Sequence, residues 1–191
     1  MLEQIINWDI ELFLFINGNH NSFFDFVMFW LSDKLIWIPL YIFFLYLVIK
    51  HYKKQSITII LLIAILIAMT DLISVHFFKN VFERLRPCHN PSISHLVHLV
   101  KGHCGGQYSF VSSHATNSFG IATLLSLLLR KRIKFILPLL LVWAILIAFS
   151  RIYLGVHFPL DVVGGGILGI TIGAFVFVIF KVVQKAIFQK E

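Results

Sequence analysis

Apolar residues run in long unbroken stretches, and polar residues gather in short clusters between them. A bilayer core of about 30 Å needs about 20 apolar residues in a helix, fewer where the flanks snorkel. Five stretches qualify: Leu35 to Ile49, Ile57 to Phe78, Ala115 to Leu129, Ile133 to Phe149 and Pro159 to Val183, the first being short for a span. Ahead of them, Ile5 to Leu31 is apolar but broken by Asn17, Gly18, Asn19 and Asn21, which predicts one or two helices lying at the interface. A sixth span made from that segment is the alternative. The pattern therefore predicts an all-α, polytopic membrane helix bundle in a single domain over residues 1–191. Within it, residues 1–34 form an interfacial segment and residues 79–114 an outer loop.

Composition agrees with this picture. The chain is 59% hydrophobic and 13% charged with a mean hydropathy of +0.88, against about 45–50% apolar and about 25% charged in soluble domains. Glu3, Asp9 and Glu11 stand where a cleavable signal would be basic, so targeting is expected from the spans themselves. The net charge of +7 does not point to nucleic acid, because the cations sit in clusters between apolar runs.

Those clusters set the orientation. Lys50, Lys53 and Lys54; Arg130, Lys131, Arg132 and Lys134; and Lys181, Lys185 and Lys190 mark three cytoplasmic zones. The long loop from Lys79 to His114 and the link from Ser150 to Phe158 then lie on the other side. Lys79, Arg84, Arg86 and Arg151 remain on that outer side against the topological rule, which points to a retained task. Guanidinium forks and an ammonium at one membrane face suit a phosphate group. Lys79 and Arg86 are two helical turns apart, so they share a face if the helix continues past Phe78, and Pro87 would stop it.

Ser112, Ser113 and His114 directly precede the third span, where free backbone N–H groups and the positive dipole end receive anions. One of the serines is also expected to cap the helix. His114, beside a cationic pocket, suits a general acid near neutral pH. His157 precedes Phe158 and Pro159 at the start of the fifth span, and Asp161 falls in its first turn. A carboxylate there can accept the Nδ1 proton and leave Nε2 free to attack phosphorus. Asp71, inside the second span, is costly unless paired and reads as support for a neighbouring helix.

Together, Lys79 with Arg86 and Pro87, then Ser112, Ser113 and His114, then Ser150 and Arg151 with His157 and Asp161, resemble the three-part signature of the phosphatidic acid phosphatase type 2 family. The resemblance implies that Lys79, Arg86 and Arg151 hold the phosphate oxygens, helped by Ser112 and the backbone around Ser113. It further implies that His157 is the nucleophile oriented by Asp161, that His114 protonates the leaving oxygen, and that a phosphohistidine is hydrolysed by water without metal or cofactor. The family's middle motif reads Pro-Ser-Gly-His, whereas Val111 and Ser113 occupy its first and third positions here. Arg84 is left without a role.

Cys88 and Cys104 fall in the outer loop, where disulfides persist, and are expected to pair and to hold Pro87 and Arg86. The intervening His89, His95, His98 and His103 match no closed zinc spacing, so no metal is expected. Gly164, Gly165, Gly166, Gly169 and Gly173 suit close helix packing, within the chain or between two copies in a homodimer.

The expected partners are membrane lipids and a lipid phosphate substrate. Undecaprenyl diphosphate comes first, by resemblance to small bacterial recyclers of that carrier in the cytoplasmic membrane, with the site facing the periplasm. Phosphatidylglycerophosphate, phosphatidic acid and the 1-phosphate of lipid A are alternatives. Vanadium haloperoxidases share the anion pocket, but they are soluble. A catalytically silent lipid transporter or scramblase would not need His157.

Overall fold

Breaks in the apolar pattern become helix ends. The computed structural model describes residues 1–188, and Lys190 lies outside them. The N-terminal segment forms α1 (Leu2–Gly18) and α2 (Ser22–Ser32). Asn21, between them, caps α2 by accepting a hydrogen bond from the Phe24 amide at 2.9 Å. Helix α3 (Ile38–Tyr52) carries Pro39 in its first turn and ends at the basic turn Lys53–Gln55, beyond which α4 (Ser56–Ile73) begins. Three more helices follow the loop that ends at Ser112: α6 (Ser113–Leu129), α7 (Ile136–Tyr153) and α8 (Pro159–Phe188). Among the described residues there is no β-strand, only an isolated bridge between Leu85 and Tyr108.

Each of the five apolar runs thus becomes one helix. By length and composition alone, three stretches suffice to cross a membrane: Ile38–Phe82, which contains both α3 and α4, Ile136–Tyr153, and Pro159–Ile187. Their outward faces carry Ile42, Ile57, Leu61, Val142, Ile145, Ile167 and Val178, exposed apolar side chains of the kind lipid tails cover.

The second run ends differently from the expectation. Helix α4 widens into a π-helical turn, Ser74–Lys79, followed by the short α5 (Asn80–Phe82), and Glu83 closes it with a left-handed φ of 46°. Arg86 is therefore not on the helix that carries Lys79. It lies in an extended segment, where its amide donates to the Gln107 carbonyl at 3.0 Å beside the Leu85–Tyr108 bridge. The two cations reach the same end of the bundle by separate routes.

Helix α6 sits in the centre, packed on α8 backbone to backbone. A Cβ on Gly169 would press on the Thr116 carbonyl and stand 2.9 Å from the Gly120 amide nitrogen. One on Gly173 would come within 2.5 Å of the Gly120 carbonyl, and one on Gly165 within 2.6 Å of the Ser112 carbonyl. This glycine face is filled by the same chain and offers no surface to a second copy. Gly169→Leu is expected to yield no monodisperse folded protein. The milder Gly169→Ala should unfold at a lower temperature, by about 1–3 kcal/mol of overpacking or more. Thermal unfolding in detergent checks this, and a Gly169→Leu protein as stable as wild type would refute the packing argument.

Candidate active site

One end of the bundle gathers residues from four separate segments. Lys79 Nζ donates to Ser113 Oγ at 2.9 Å, and Ser113 Oγ also lies 3.0 Å from Ser74 Oγ, so the π-helical turn is tied to the start of α6. The Ser112 amide donates to the Asp161 carbonyl at 2.9 Å, which joins the starts of α6 and α8. Ser112 is fully buried and its hydroxyl caps α6 at the Ala115 amide, 3.5 Å away. Thus one serine caps, and the other meets the lysine.

Arg86 is buried, and backbone carbonyls hold its guanidinium. Nη1 donates to Cys104 at 3.0 Å and to Val156 at 3.4 Å, and Nε donates to Tyr108 at 3.3 Å. Cys88 and Cys104 form a disulfide, with Cα atoms 6.2 Å apart. The bridge therefore fixes the loop segment whose carbonyl orients Arg86. Gly105, with φ of 84°, lets that backbone pass close to the guanidinium. Arg151, at the end of α7, donates through Nη1 to Ser32 Oγ, while its buried Nε has no hydrogen-bond partner among the described residues.

His157 lies in the short link before α8 and is 1% exposed. Burial, then the positive charges of Arg86, Arg151 and Lys79, lower its pKa well below the ordinary histidine value, so the imidazole is neutral at physiological pH. Its buried Nδ1 stands 3.5 Å from Asp161 Oδ2, a contact too long to be a formed hydrogen bond. Asp161 spends its oxygens elsewhere: Oδ2 accepts from the Phe158 amide at 2.8 Å and Oδ1 from Arg84 at 2.8 Å. The side chain that the spacing matches to the ring is thus also the cap of its own helix.

His114 is exposed at the polar end of a cavity of about 620 Å³ between α3, α4, α6 and α7. Its walls are largely apolar, including Tyr41, Phe44, Ile63, Ile67, Leu125 and Trp143, while Ser113, His114, Asn117, Asp71, Ser32 and Lys34 mark its polar parts. Asp71 accepts from Asn117 Nδ2 at 2.9 Å, a brace between α4 and α6.

A buried neutral imidazole under the charges of Arg86, Arg151 and Lys79 can serve a phosphoryl group chemically, and the chain is similar to proteins that act on such groups. The family model described as PAP2 superfamily matches residues 57–185. The chain belongs to the PAP2 superfamily. A lipid A 4'-phosphatase of Bacteroides thetaiotaomicron is 38% identical over 172 residues, covering 88% of this chain and 75% of that protein. An undecaprenyl-diphosphatase of Sulfolobus acidocaldarius is 33% identical over 171 residues, covering 87% and 76%. The crystal structure of a transmembrane PAP2 type phosphatidylglycerolphosphate phosphatase from Bacillus subtilis superposes with a TM-score of 0.69 at 24% identity, covering 96% of this chain and 88% of that one. At that identity the likeness is one of fold.

In this PAP2 chain two residues at the site escaped the sequence reading. Arg84, left without a role there, bridges Asp161 Oδ1 at 2.8 Å and Asp9 Oδ2 at 2.5 Å, and lies 4.2 Å from the centre of the Phe158 ring. Asp9, 4% exposed, also accepts from the Leu160 amide at 2.8 Å through Oδ1. An acidic residue in an apolar helix was the available signal, but nothing in the sequence names its partner.

Proposed function

We propose that the chain hydrolyses a phosphate monoester on a saccharolipid of the lipid A type, releasing phosphate by way of a phosphohistidine. Family membership makes it a membrane phosphatase acting on lipid phosphates. The observation that carries the mechanism is the set of unspent cationic donors, on Arg86 and Arg151, around the neutral ring of His157.

In this mechanism the phosphate seats between Lys79, Arg86 and Arg151, with the Ser112 and Ser113 region at the start of α6 receiving an oxygen. The geometry favours Nε2 as nucleophile, because Nδ1 faces Asp161. Nε2 attacks phosphorus, the bond to the ester oxygen breaks, and His114 gives that oxygen a proton. Water then attacks phosphorus, passes a proton to His114, and the P–N bond breaks to release phosphate. The reaction neither consumes nor requires a metal. The apolar cavity below His114 accommodates the lipid's hydrocarbon, which reaches it sideways from the bilayer. Five helices, α3, α4, α6, α7 and α8, cross a cytoplasmic membrane in this reading, α1 and α2 lie at its outer surface, and the site faces outward.

The similarity to the lipid A 4'-phosphatase of Bacteroides thetaiotaomicron supports the saccharolipid as the first reading. A polyprenyl diphosphate, the expectation of the sequence alone, is the second reading, favoured by the Sulfolobus acidocaldarius relative. Phosphate release by the detergent-purified protein in EDTA, from lipid A, undecaprenyl diphosphate and phosphatidylglycerophosphate at equal surface concentration, separates them. The expected order places lipid A first, with loss of the 4'-phosphate. Preference for undecaprenyl diphosphate would establish the second reading, and inactivity on every lipid would sink both.

A further inference from the structure

Outside the phosphate site, three metal-ligating side chains meet on the outer face. His20 lies in the link between α1 and α2, Asp25 in the first turn of α2, and His98 in the outer loop; their ligand atoms all lie within 4.8 Å of one another. We propose that His20, Asp25 and His98 form a divalent transition-metal site, with zinc as its ion, that fastens the N-terminal helix pair to the outer loop.

Three observations support a built site. His98 Nε2 stands 3.0 and 3.1 Å from the two Asp25 oxygens. Ligands on one tetrahedral zinc, at about 2.0–2.2 Å from the ion, are about 3.3 Å apart, so this pair is already near the required spacing. Both groups are held from behind. Buried Asn17 clasps the His98 backbone, accepting from its amide at 2.8 Å and donating to its carbonyl at 2.9 Å, and Tyr153 on α7 donates its hydroxyl to Asp25 Oδ1 at 2.9 Å. Such outer contacts orient ligands in metal sites. Finally, the exposed His20 ring lies parallel to His98, with centroids 3.6 Å apart and planes within 3°. A turn of that ring out of the stack directs its nitrogen toward the His98–Asp25 pair, and water completes the shell. Two imidazoles and one carboxylate suit zinc better than calcium or magnesium, which take all-oxygen sets.

The ion would join the neighbouring His20 and Asp25 to His98, 73 residues beyond Asp25, and Tyr153 follows Arg151 by two residues, so the site braces the end of α7 near the phosphate-binding arginine. It shares no residue with the phosphate site, and hydrolysis does not run through it.

The test uses full-length protein purified through a tag without histidines, stripped with EDTA, exchanged into chelator-free buffer and titrated with zinc sulfate by calorimetry and thermal unfolding. Wild type is expected to bind one ion per chain and to gain Tm as zinc rises. His20→Ala should lose at least about tenfold in affinity while keeping the wild-type Tm in EDTA, because His20 is exposed. His89→Ala, which removes a loop histidine outside the cluster, should bind like wild type. Absence of saturable binding by wild type, or a His20→Ala protein that binds zinc as tightly as wild type, would overturn the proposal.

Discussion

His157→Ala is expected to release phosphate at less than about one-thousandth of the wild-type rate, a loss of about 4 kcal/mol of transition-state stabilisation. The imidazole is neutral, its Nδ1 is turned toward Asp161, and it lies under the positive charges of Arg86, Arg151 and Lys79. A nucleophile in this place supplies a bond that no neighbour can supply: Ser112 is committed to capping α6, and Ser113 receives the Lys79 ammonium. His157→Asn separates chemistry from packing, since the amide fills much of the same space without a lone pair suited to attack. Both variants should keep the wild-type Tm within a few degrees while activity is lost. Wild type quenched during turnover should hold a phosphate that is labile in acid and stable in base, and His114→Ala should form that adduct more slowly than wild type, because its defect falls on the leaving group. A His157→Asn enzyme with more than about a tenth of wild-type activity would end the covalent reading.

The sequence carried the helices because each apolar run is long, and the ends moved by only a few residues: Ile133 was the expected start of the run that forms α7 from Ile136, and Leu35 that of α3 from Ile38. The positions of Ser112, Ser113, His157 and Asp161 were readable because each sits at or beside a helix start, where a cap, a proline or a free amide restricts which residues serve, whereas Arg86 lies in an extended segment. Local pattern could not carry the end of the second run. Nothing about Glu83 marks it for a left-handed φ, and the turn there is set by the bridge of Leu85 to Tyr108, far along the chain. Arg84 was illegible for the same reason. Its role depends on Asp9 and Asp161, which only tertiary packing brings to it.

Arg84→Met is expected to lower kcat by about 10- to 100-fold with little change in KM, and to destabilise the protein by about 3–5 kcal/mol. The arginine joins two carboxylates whose side chains are 1% and 0% exposed, and it is itself 23% exposed. Removing it strands both charges in a site that water barely reaches. Attraction between opposite charges does not by itself make such a bridge stabilising, because desolvation opposes it, but breaking one side leaves that desolvation uncompensated. The catalytic effect follows from position rather than contact. Arg84 holds Asp161 Oδ1, the Phe158 amide holds Oδ2, and together they fix the carboxylate against which His157 Nδ1 rests. A freed Asp161 orients the ring less well, so the loss belongs to the chemical step and substrate binding is spared. Arg84→Lys should recover only part of both losses, since an ammonium keeps the charge but lacks the fork that reaches Asp9 and Asp161 at once. The double variant Arg84→Met with Asp9→Asn should be more stable than Arg84→Met alone, because one stranded carboxylate is gone, while its kcat stays low. If kcat returned along with stability, Arg84 would be a structural brace for α1 and nothing more. Recovery of stability without kcat assigns it to the positioning of Asp161, and through Asp161 of the nucleophile.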